Sequence, residues 1–205
     1  FHDACKARAA VFDDGSKAVA LVGLDALFIR KPSVDRIRAA IAERTKIQPE
    51  AVLIGASHSH SSGPVGMILP GEFDHASEWI QNLAYNQSST ADPEYLKLME
   101  QGIIEAVVEA YEERQTAQIG FGSGEEGKVQ FNRRFRMKNG LTYTHPRPGN
   151  PDMLEPAGPI DAEVGVIGVW SADGKELLGC VVNWACHATT SPSGISANYV
   201  HYLEK

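Results

Sequence analysis

Two apolar runs flank an amphipathic segment in the first quarter of the chain. Residues 17–25 (KAVALVGLD) and 51–56 (AVLIGA) are nearly continuous apolar stretches, a pattern typical of strands covered on both faces. Between them, after Pro32 and the cap Ser33, apolar residues three and four positions apart predict a helix that ends near Lys46. The pattern therefore predicts a β-α-β unit with parallel, neighbouring strands.

The next segment combines an irregular stretch with a long helix. Residues 63–92 show no sustained periodicity apart from a short helix near Trp79, and loops of this length are often functional. Asp92 is a good helix cap and Pro93 a good first helical residue. The apolar face that follows predicts a helix ending near Arg114.

The last third of the chain is predicted to be mostly β-structure. Residues 117–124 (AQIGFGSG) predict a strand, and residues 163–187 predict a hairpin around an Asp173-Gly174 turn. The intervening residues 131–162 are rich in Pro, Gly and Arg and predict an ordered but irregular excursion. The fold class expected from all elements is α/β, with a mixed sheet that contains at least one parallel β-α-β unit and carries packed helices.

Composition excludes several classes of protein. The net charge of −7 and the pI near 5.5 disfavour a nucleic-acid partner. No apolar run approaches the ~20 residues that span a bilayer, so no transmembrane segment is expected. Three cysteines without a C-x-x-C pair indicate neither a disulfide framework nor a thiolate zinc site, and we expect them to be small buried apolar residues. They are Cys5, Cys180 and Cys186.

Histidines follow the ends of two predicted strands. His58 and His60 lie in IGASHSHSSGP, where an extended backbone would direct both rings to one face. His187 follows the apolar run VVNWAC. Asp25 would emerge beside His58 at the carboxyl edge of the sheet, either holding a histidine ring or capping its strand. The other histidines lack this setting and are expected to be structural or exposed: His2, His75, His145 and His201.

Imidazole is the commonest metal ligand near neutral pH, and Zn²⁺ accepts nitrogen and oxygen ligands. A metal site at the C-terminal ends of the strands, with the His58–His60 pair and His187 as candidate ligands, is therefore one interpretation. Hydrogen bonding of the histidines within their loops is the other. A cationic cluster in the acidic chain has two interpretations as well, since it could be solvated or could hold an oxyanion, carboxylate or phosphate. It consists of Arg133, Arg134, Arg136, Lys138 and Arg147.

Four stretches, in this order and spacing, resemble the N-terminal catalytic domain of neutral/alkaline, non-lysosomal ceramidases. They are ARAAVFDDGSKAVALVGLDALFI, ASHSHSSGP, FNRR and VVNWACHATT. The resemblance covers most of the chain and implies a zinc amidase that hydrolyses an N-acyl bond. Under this hypothesis residues 1–205 form a single partial catalytic domain, truncated at both ends.

The resemblance also assigns roles to individual residues. His58 and His187 match the family's zinc-binding histidines, whereas His60 and Arg133 match residues that contact substrate near the metal. The family's remaining ligands, a glutamate and a tyrosine, would come from beyond Lys205. Arg134 stands where the family usually has serine, and this variant resembles bacterial ceramidase-domain-like proteins.

The resulting hypothesis is metal-assisted hydrolysis of an N-acyl sphingoid or another N-acyl compound by a protein of lipid metabolism that is exported to the periplasm or secreted. Zn²⁺ would activate water, His60 would orient the substrate or carry a proton, and Asn132 and Arg133 would contact the substrate, with Arg133 stabilising charge on its carbonyl oxygen. An apolar entrance for a lipid-like group is expected from Met67, Ile68, Leu69 and Trp79.

Two alternatives stay open. The chain could be a metal-dependent esterase or phosphoester hydrolase, in which the arginine cluster binds an anion. It could also be a non-catalytic domain whose histidines are structural. With two visible ligands, these 205 residues could also bind zinc weakly without turning substrate over.

Overall fold

The computed structural model describes residues 1–189 and 192–205, which form two compact units. The first unit comprises Phe1–Gln115 and His187–Lys205, and the second comprises Thr116–Cys186. The expectation of a single partial catalytic domain stays a prediction.

The first unit contains a mixed three-stranded sheet and its helices. Its sheet has the order β1-β2-β3, in which β1 and β2 are antiparallel and β2 and β3 are parallel. The predicted β-α-β unit and the α/β class are thus confirmed. The elements are β1 (Ala7–Asp13), β2 (Ala18–Leu24), α1 (Lys31–Arg44), a 3₁₀ turn (Pro49–Ala51), β3 (Val52–Ala56), α2 (Glu78–Asn86), α3 (Pro93–Glu112) and α4 (Tyr199–Leu203).

The hydrophobic core of this unit forms where α1 and α3 meet one face of the sheet. Ile37, Ile41 and Ile103 are fully buried in it. Burial alternates along the strands, and Leu53 on β3 is 63% exposed. The expectation that these strands are covered on both faces is therefore wrong, because successive side chains point to opposite faces and the core lies on one of them.

Of the two helix caps predicted from the sequence, Asp92 is confirmed and Ser33 is wrong. Asp92 caps α3 as expected, since its side chain accepts hydrogen bonds from the backbone N–H groups of Glu94 and Tyr95. Ser33 does not cap α1. The helix begins two residues earlier, with Pro32 in its first turn, and Ser33 is buried inside it.

The second unit consists of two antiparallel three-stranded sheets, ordered β4-β8-β9 and β6-β5-β7. The predicted strand at residues 117–124 and the hairpin with its Asp173-Gly174 turn are confirmed, and Gly174 has the positive φ of 73° that such turns favour. The strands are β4 (Ala117–Glu125), β5 (Arg134–Met137), β6 (Thr142–Thr144), β7 (Met153–Pro156), β8 (Glu163–Ser171) and β9 (Leu177–Trp184).

The segment of residues 131–162, predicted to be irregular, instead carries the small sheet β6-β5-β7. Its strands have three or four residues each, too few for an alternating pattern to stand out among the prolines and glycines. A bulge between Arg136 and Met137 interrupts the register further.

Two expectations about the whole chain can be compared with the described residues. None of their helices is both long and apolar enough to cross a bilayer. All three cysteines are free thiols, but Cys180 is exposed, so the expectation of burial is wrong for this residue. Burial raises the pKa of the Cys5 and Cys186 thiols.

Candidate metal centre

Three imidazole rings converge in the first unit. His58, His60 and His187 each offer one nitrogen, and these three nitrogens lie within 4.8 Å of one another. The ring centroids are 4.8–5.0 Å apart, with the rings of His58 and His187 stacked and that of His60 edge-on to both. The two strand-end segments singled out by the sequence thus meet at one place.

The local backbone that brings the first two rings together is not the predicted one. β3 ends at Ala56, and His58 has a φ of 59°, which is the left-handed region rather than extended backbone. His58 and His60 therefore meet across a turn, not by alternation along a strand. His187 lies three residues after the end of β9 at Trp184.

The ring of His58 is oriented by a backbone carbonyl. Its Nδ1 lies 2.7 Å from the carbonyl oxygen of Leu27. Because a carbonyl only accepts, Nδ1 must carry the proton, which leaves Nε2 of the neutral ring as the atom with a lone pair. This partner arrangement is the usual one for metal-binding histidines.

The Nε2 atoms of His60 and His187 are 3.0 Å apart. Two nitrogens bound at 2.0–2.1 Å to one tetrahedral Zn²⁺ would be about 3.3 Å apart. An increase of about 0.3 Å in the distance between these two atoms would therefore accommodate an ion. The donor set is purely imidazole and suits Zn²⁺. Without a metal, the same distance suits a hydrogen bond in which one ring donates to the other.

Buried serines and an asparagine support the loop that carries His58 and His60. The hydroxyl of Ser59 is fully buried, and its single proton faces two acceptors, the side-chain oxygen of Asn198 at 2.8 Å and the carbonyl of Ser196 at 2.9 Å. The backbone N–H of Ser59 bonds to Ala26, and that of His60 to Ala188, the neighbour of His187. The loop is thereby connected to the segment after β2 and to the segment that carries His187.

The buried carboxylate of Asp3 anchors the same region. It accepts hydrogen bonds from the Ser196 hydroxyl at 2.5 Å and from the backbone N–H of Ala197 at 2.7 Å. Burial alone would raise the pKa of Asp3, but these hydrogen bonds outweigh it and lower the pKa below its ordinary value.

Asp25 is buried and bonded to β1. Its Oδ2 accepts from the backbone N–H of Lys6 and from the Arg8 guanidinium, each at 2.9 Å, and Arg8 also pairs with Glu204. Burial raises the pKa of Asp25 although both bonds act in the opposite direction. These contacts are those of an anchored strand end, and the predicted role of Asp25 beside a histidine stays a prediction.

Close packing explains why glycine follows the histidines at Gly63 and recurs at Gly66. A Cβ at Gly63 would lie 2.1 Å from the ring of Tyr95 on α3, so this ring packs directly on the glycine backbone. At Gly66, with a φ of 59°, a Cβ would lie 2.0 Å from the backbone nitrogen of Ala91. Both glycines hold the irregular loop against the start of α3.

The remaining predicted site residues lie in the second unit or in the loop. The side chain of Asn132 braces its own segment, since it donates to the carbonyls of Gly158 and Pro159 and accepts from the N–H of Arg134. Arg133 is exposed. Two members of the cationic cluster have acidic neighbours, Arg136 at 3.5 Å from Glu155 and Lys138 at 3.9 Å from Asp152.

The apolar loop residues differ in exposure. Met67 is 58% and Trp79 69% exposed, whereas Ile68 and Leu69 are half-buried. Arg30 holds the loop by donating to the carbonyl of Met67. An apolar entrance formed by these residues stays a prediction.

Sequence reasoning missed several contacts of the centre. The carbonyl of Leu27 is a backbone group and has no signature in the sequence. Asp3, Ser196 and Asn198 are small polar residues without periodicity, and what distinguishes them is burial, which appears only in the fold.

Two solved structures share the fold of this chain. A ceramidase complexed with C2 matches with a TM-score of 0.56 and 23% identity over 93% of this chain and 27% of its own. The neutral ceramidase from Pseudomonas aeruginosa matches with a TM-score of 0.58 and 24% identity over 93% of this chain and 28% of its own. The chain thus spans little more than a quarter of the length of these ceramidases. No family model and no curated protein matches it.

Proposed function

We propose that the chain is part of a ceramidase-like, zinc-dependent hydrolase that cleaves the amide bond of an N-acyl compound. The observation that carries the proposal is the convergence of His58, His60 and His187, brought together from positions far apart in the sequence. The shared fold with two ceramidases and the resemblance of four sequence motifs support the amide substrate. Export from the cell belongs to the same proposal and rests on the resemblance alone.

His58 and His187 are the proposed zinc ligands. The hydrogen bond from Nδ1 of His58 to Leu27 holds the ring so that Nε2 is available. A bound Zn²⁺ would supply a Lewis acid that lowers the pKa of water and polarises a carbonyl. The glutamate and tyrosine implied by the resemblance would complete the shell from beyond Lys205.

His60 is the proposed proton carrier. Its Nε2 lies 3.0 Å from the Nε2 of His187, so it would stand beside the metal, within reach of the amide nitrogen that must be protonated as it leaves. A role as third ligand is the competing assignment for this ring, and the experiment below distinguishes the two.

Asn132 and Arg133 are proposed to contact the substrate. The guanidinium of Arg133 would stabilise negative charge on the scissile carbonyl oxygen through charge-assisted hydrogen bonds. The side chain of Asn132 also fixes the backbone at Arg134. Met67 and Trp79, both exposed, are candidates for contacts with an acyl chain.

The test is zinc binding by the untagged chain, measured by plasma mass spectrometry and zinc titration. We expect near-stoichiometric zinc in the wild type, loss of zinc in His58→Ala and His187→Ala, and no change in His75→Ala, which removes an exposed histidine of the same unit. If His60→Ala keeps its zinc but loses hydrolysis of N-acyl substrates, His60 is the proton carrier. Loss of zinc in His60→Ala would make it a ligand.

Substrate class is tested on the full-length protein with matched N-acyl sphingoid, N-acyl amino acid, ester and phosphoester compounds. The proposal predicts cleavage of the amides in preference to the esters. Phosphoester cleavage that depends on Arg134 and Arg136 would instead support the anion-binding alternative. A wild type that binds no zinc in either chain length would make the histidines structural.

A further inference from the structure

Asn198 has an unusual backbone for a buried residue. It is 2% exposed and immediately precedes α4, with φ 57° and ψ −138°. This conformation is readily adopted by glycine and rarely by residues with a side chain. A residue other than glycine keeps this conformation only where surrounding contacts stabilise it. The contacts of the Asn198 side chain are therefore expected to offset the unfavourable backbone.

That side chain contacts the residues on both sides of His60. Its Oδ1 accepts from the hydroxyl of Ser59 at 2.8 Å, and its Nδ2 donates to the hydroxyl of Ser61 at 3.4 Å. One planar amide group thus spans the tripeptide that carries His60. The first contact is buried, where hydrogen bonds are costly to lose.

The other end of Asn198 is fixed by the segment before it. Its backbone N–H donates to the hydroxyl of Ser196 at 2.9 Å, and Ser196 donates in turn to the carboxylate of Asp3. The backbone N–H of Ser196 also donates to the carbonyl of Ser61 at 2.9 Å. The amide is therefore held on a buried, hydrogen-bonded base formed by Asp3 and Ser196.

We propose that Asn198 is a positioning residue for the candidate metal centre, whose side-chain amide fixes Ser59 and Ser61 and thereby sets where the ring of His60 meets that of His187. This inference rests on the proposed function for its consequence, because the position of His60 matters most if a metal is bound beside it. The backbone bond from His60 to Ala188 completes the connection to the segment of His187.

The test uses a substitution that separates stability from positioning. Asn198→Gly removes the amide but favours the backbone conformation, whereas Asn198→Ala removes the amide and keeps the unfavourable φ. If His60 is a third ligand, we expect both variants to bind zinc about 10–100-fold more weakly than the wild type; if it is the proton carrier, we expect zinc binding to persist and the same substitutions in the full-length protein to lower hydrolysis of N-acyl substrates about 10–100-fold. The glycine variant should melt at a higher temperature than the alanine variant.

Two comparisons can overturn the proposal. Asn86→Gly, the same substitution at an exposed residue of the first unit, should leave zinc affinity unchanged. Wild-type zinc affinity together with wild-type hydrolysis in Asn198→Gly would contradict the proposal. So would an affinity that follows the melting temperature, high in the glycine variant and low in the alanine variant, because that is the result of a merely structural role.

Hydrogen exchange of the metal-free protein makes the inference testable apart from the proposed function. The amide protons of Ser59 and His60 are bonded to Ala26 and Ala188, and we expect them to exchange faster in Asn198→Gly, with exchange in α1 unchanged. If the wild type binds no zinc, the proposed function fails. Hydrogen exchange at Ser59 and His60 then remains as the test of whether Asn198 fixes the loop that carries His60. Unchanged exchange at these amides would overturn the inference.

Discussion

The two units place similar apolar residues in opposite environments. In the first unit Ile37 and Ile103, on α1 and α3, are fully buried against the sheet. In the second unit Ile119 is 49% and Phe121 81% exposed, both on β4. The difference shows that an apolar residue stabilises the fold only where another element packs on it and excludes water. The hydrophobic core cluster lies wholly in the first unit.

The largest expected difference between the units comes from one substitution made in each. Ile103→Ala should lower the free energy of unfolding by about 2–5 kcal/mol, because it leaves a cavity in a closed core. Ile119→Ala should cost less than about 1 kcal/mol, because half of this side chain already contacts solvent. Urea unfolding with hydrogen exchange for each unit measures both. Equal losses would mean that Ile119 is covered in solution.

A second pair of variants compares close backbone contacts. Gly66→Ala combines a positive φ with a Cβ that would meet the backbone of Ala91, so we expect a loss of about 2–4 kcal/mol. In the second unit, a Cβ at Gly168 would lie 2.3 Å from the ring of Trp170. That ring end can move, and Gly168→Ala should cost about 1 kcal/mol. Thermal melts decide the order of the two.

Gly124→Ala is the control for this pair, since nothing lies within 4 Å of its added Cβ. Its melting temperature should match that of the wild type. If Gly168→Ala proved more damaging than Gly66→Ala, the second unit would be the more tightly packed one, contrary to the comparison drawn above.

The smallest expected effects come from turns in which the two units are alike. In the β1–β2 turn, hydrogen bonds from the backbone N–H of Lys17 and from Ser16 lower the pKa of Asp14 from 3.8 to about 2. In the β8–β9 turn, a bond from Ser171 likewise lowers the pKa of Asp173. Because both pKa values are depressed in the folded state, each carboxylate stabilises the protein above its unfolded pKa, and this contribution is lost as the pH falls through the folded pKa.

Asp14→Asn should therefore flatten the fall in stability between about pH 4 and pH 2 relative to the wild type, and Asp173→Asn should flatten it as the pH falls below the ordinary range of aspartate. Urea midpoints measured at several pH values in this window test the expectation. Parallel curves for the wild type and both variants would show that neither turn carboxylate is bonded in solution as it is in the structure.

Helices and strands were predicted best where the elements that bury them are close in the sequence. The β2-α1-β3 unit and α3 follow from local periodicity and a capping aspartate, and the structure contains them within a few residues. β1 was not predicted, and its seven residues are all half-buried except Asp13. The β6-β5-β7 sheet was missed because its strands are too short for periodicity to distinguish from a loop.

The candidate centre was predictable in its histidines but not in its supports. His58, His60 and His187 follow apolar runs, and this setting is visible in the sequence. The burial of Ser59 and Asn198 depends on a contact between residues 139 positions apart, and the ring of His58 contacts Leu27, 31 positions away; no local pattern encodes either contact. The expectation that the two rings of HSH align along a strand failed for the same reason.

The first unit is interrupted in the chain, and its last segment supplies His187 and Asn198 only after the whole of the second unit has been made. During synthesis the early part can form its sheet and helices, but the three histidines cannot meet until this segment arrives. Zinc binding would therefore occur only after the last segment has joined the first unit, and not during early folding.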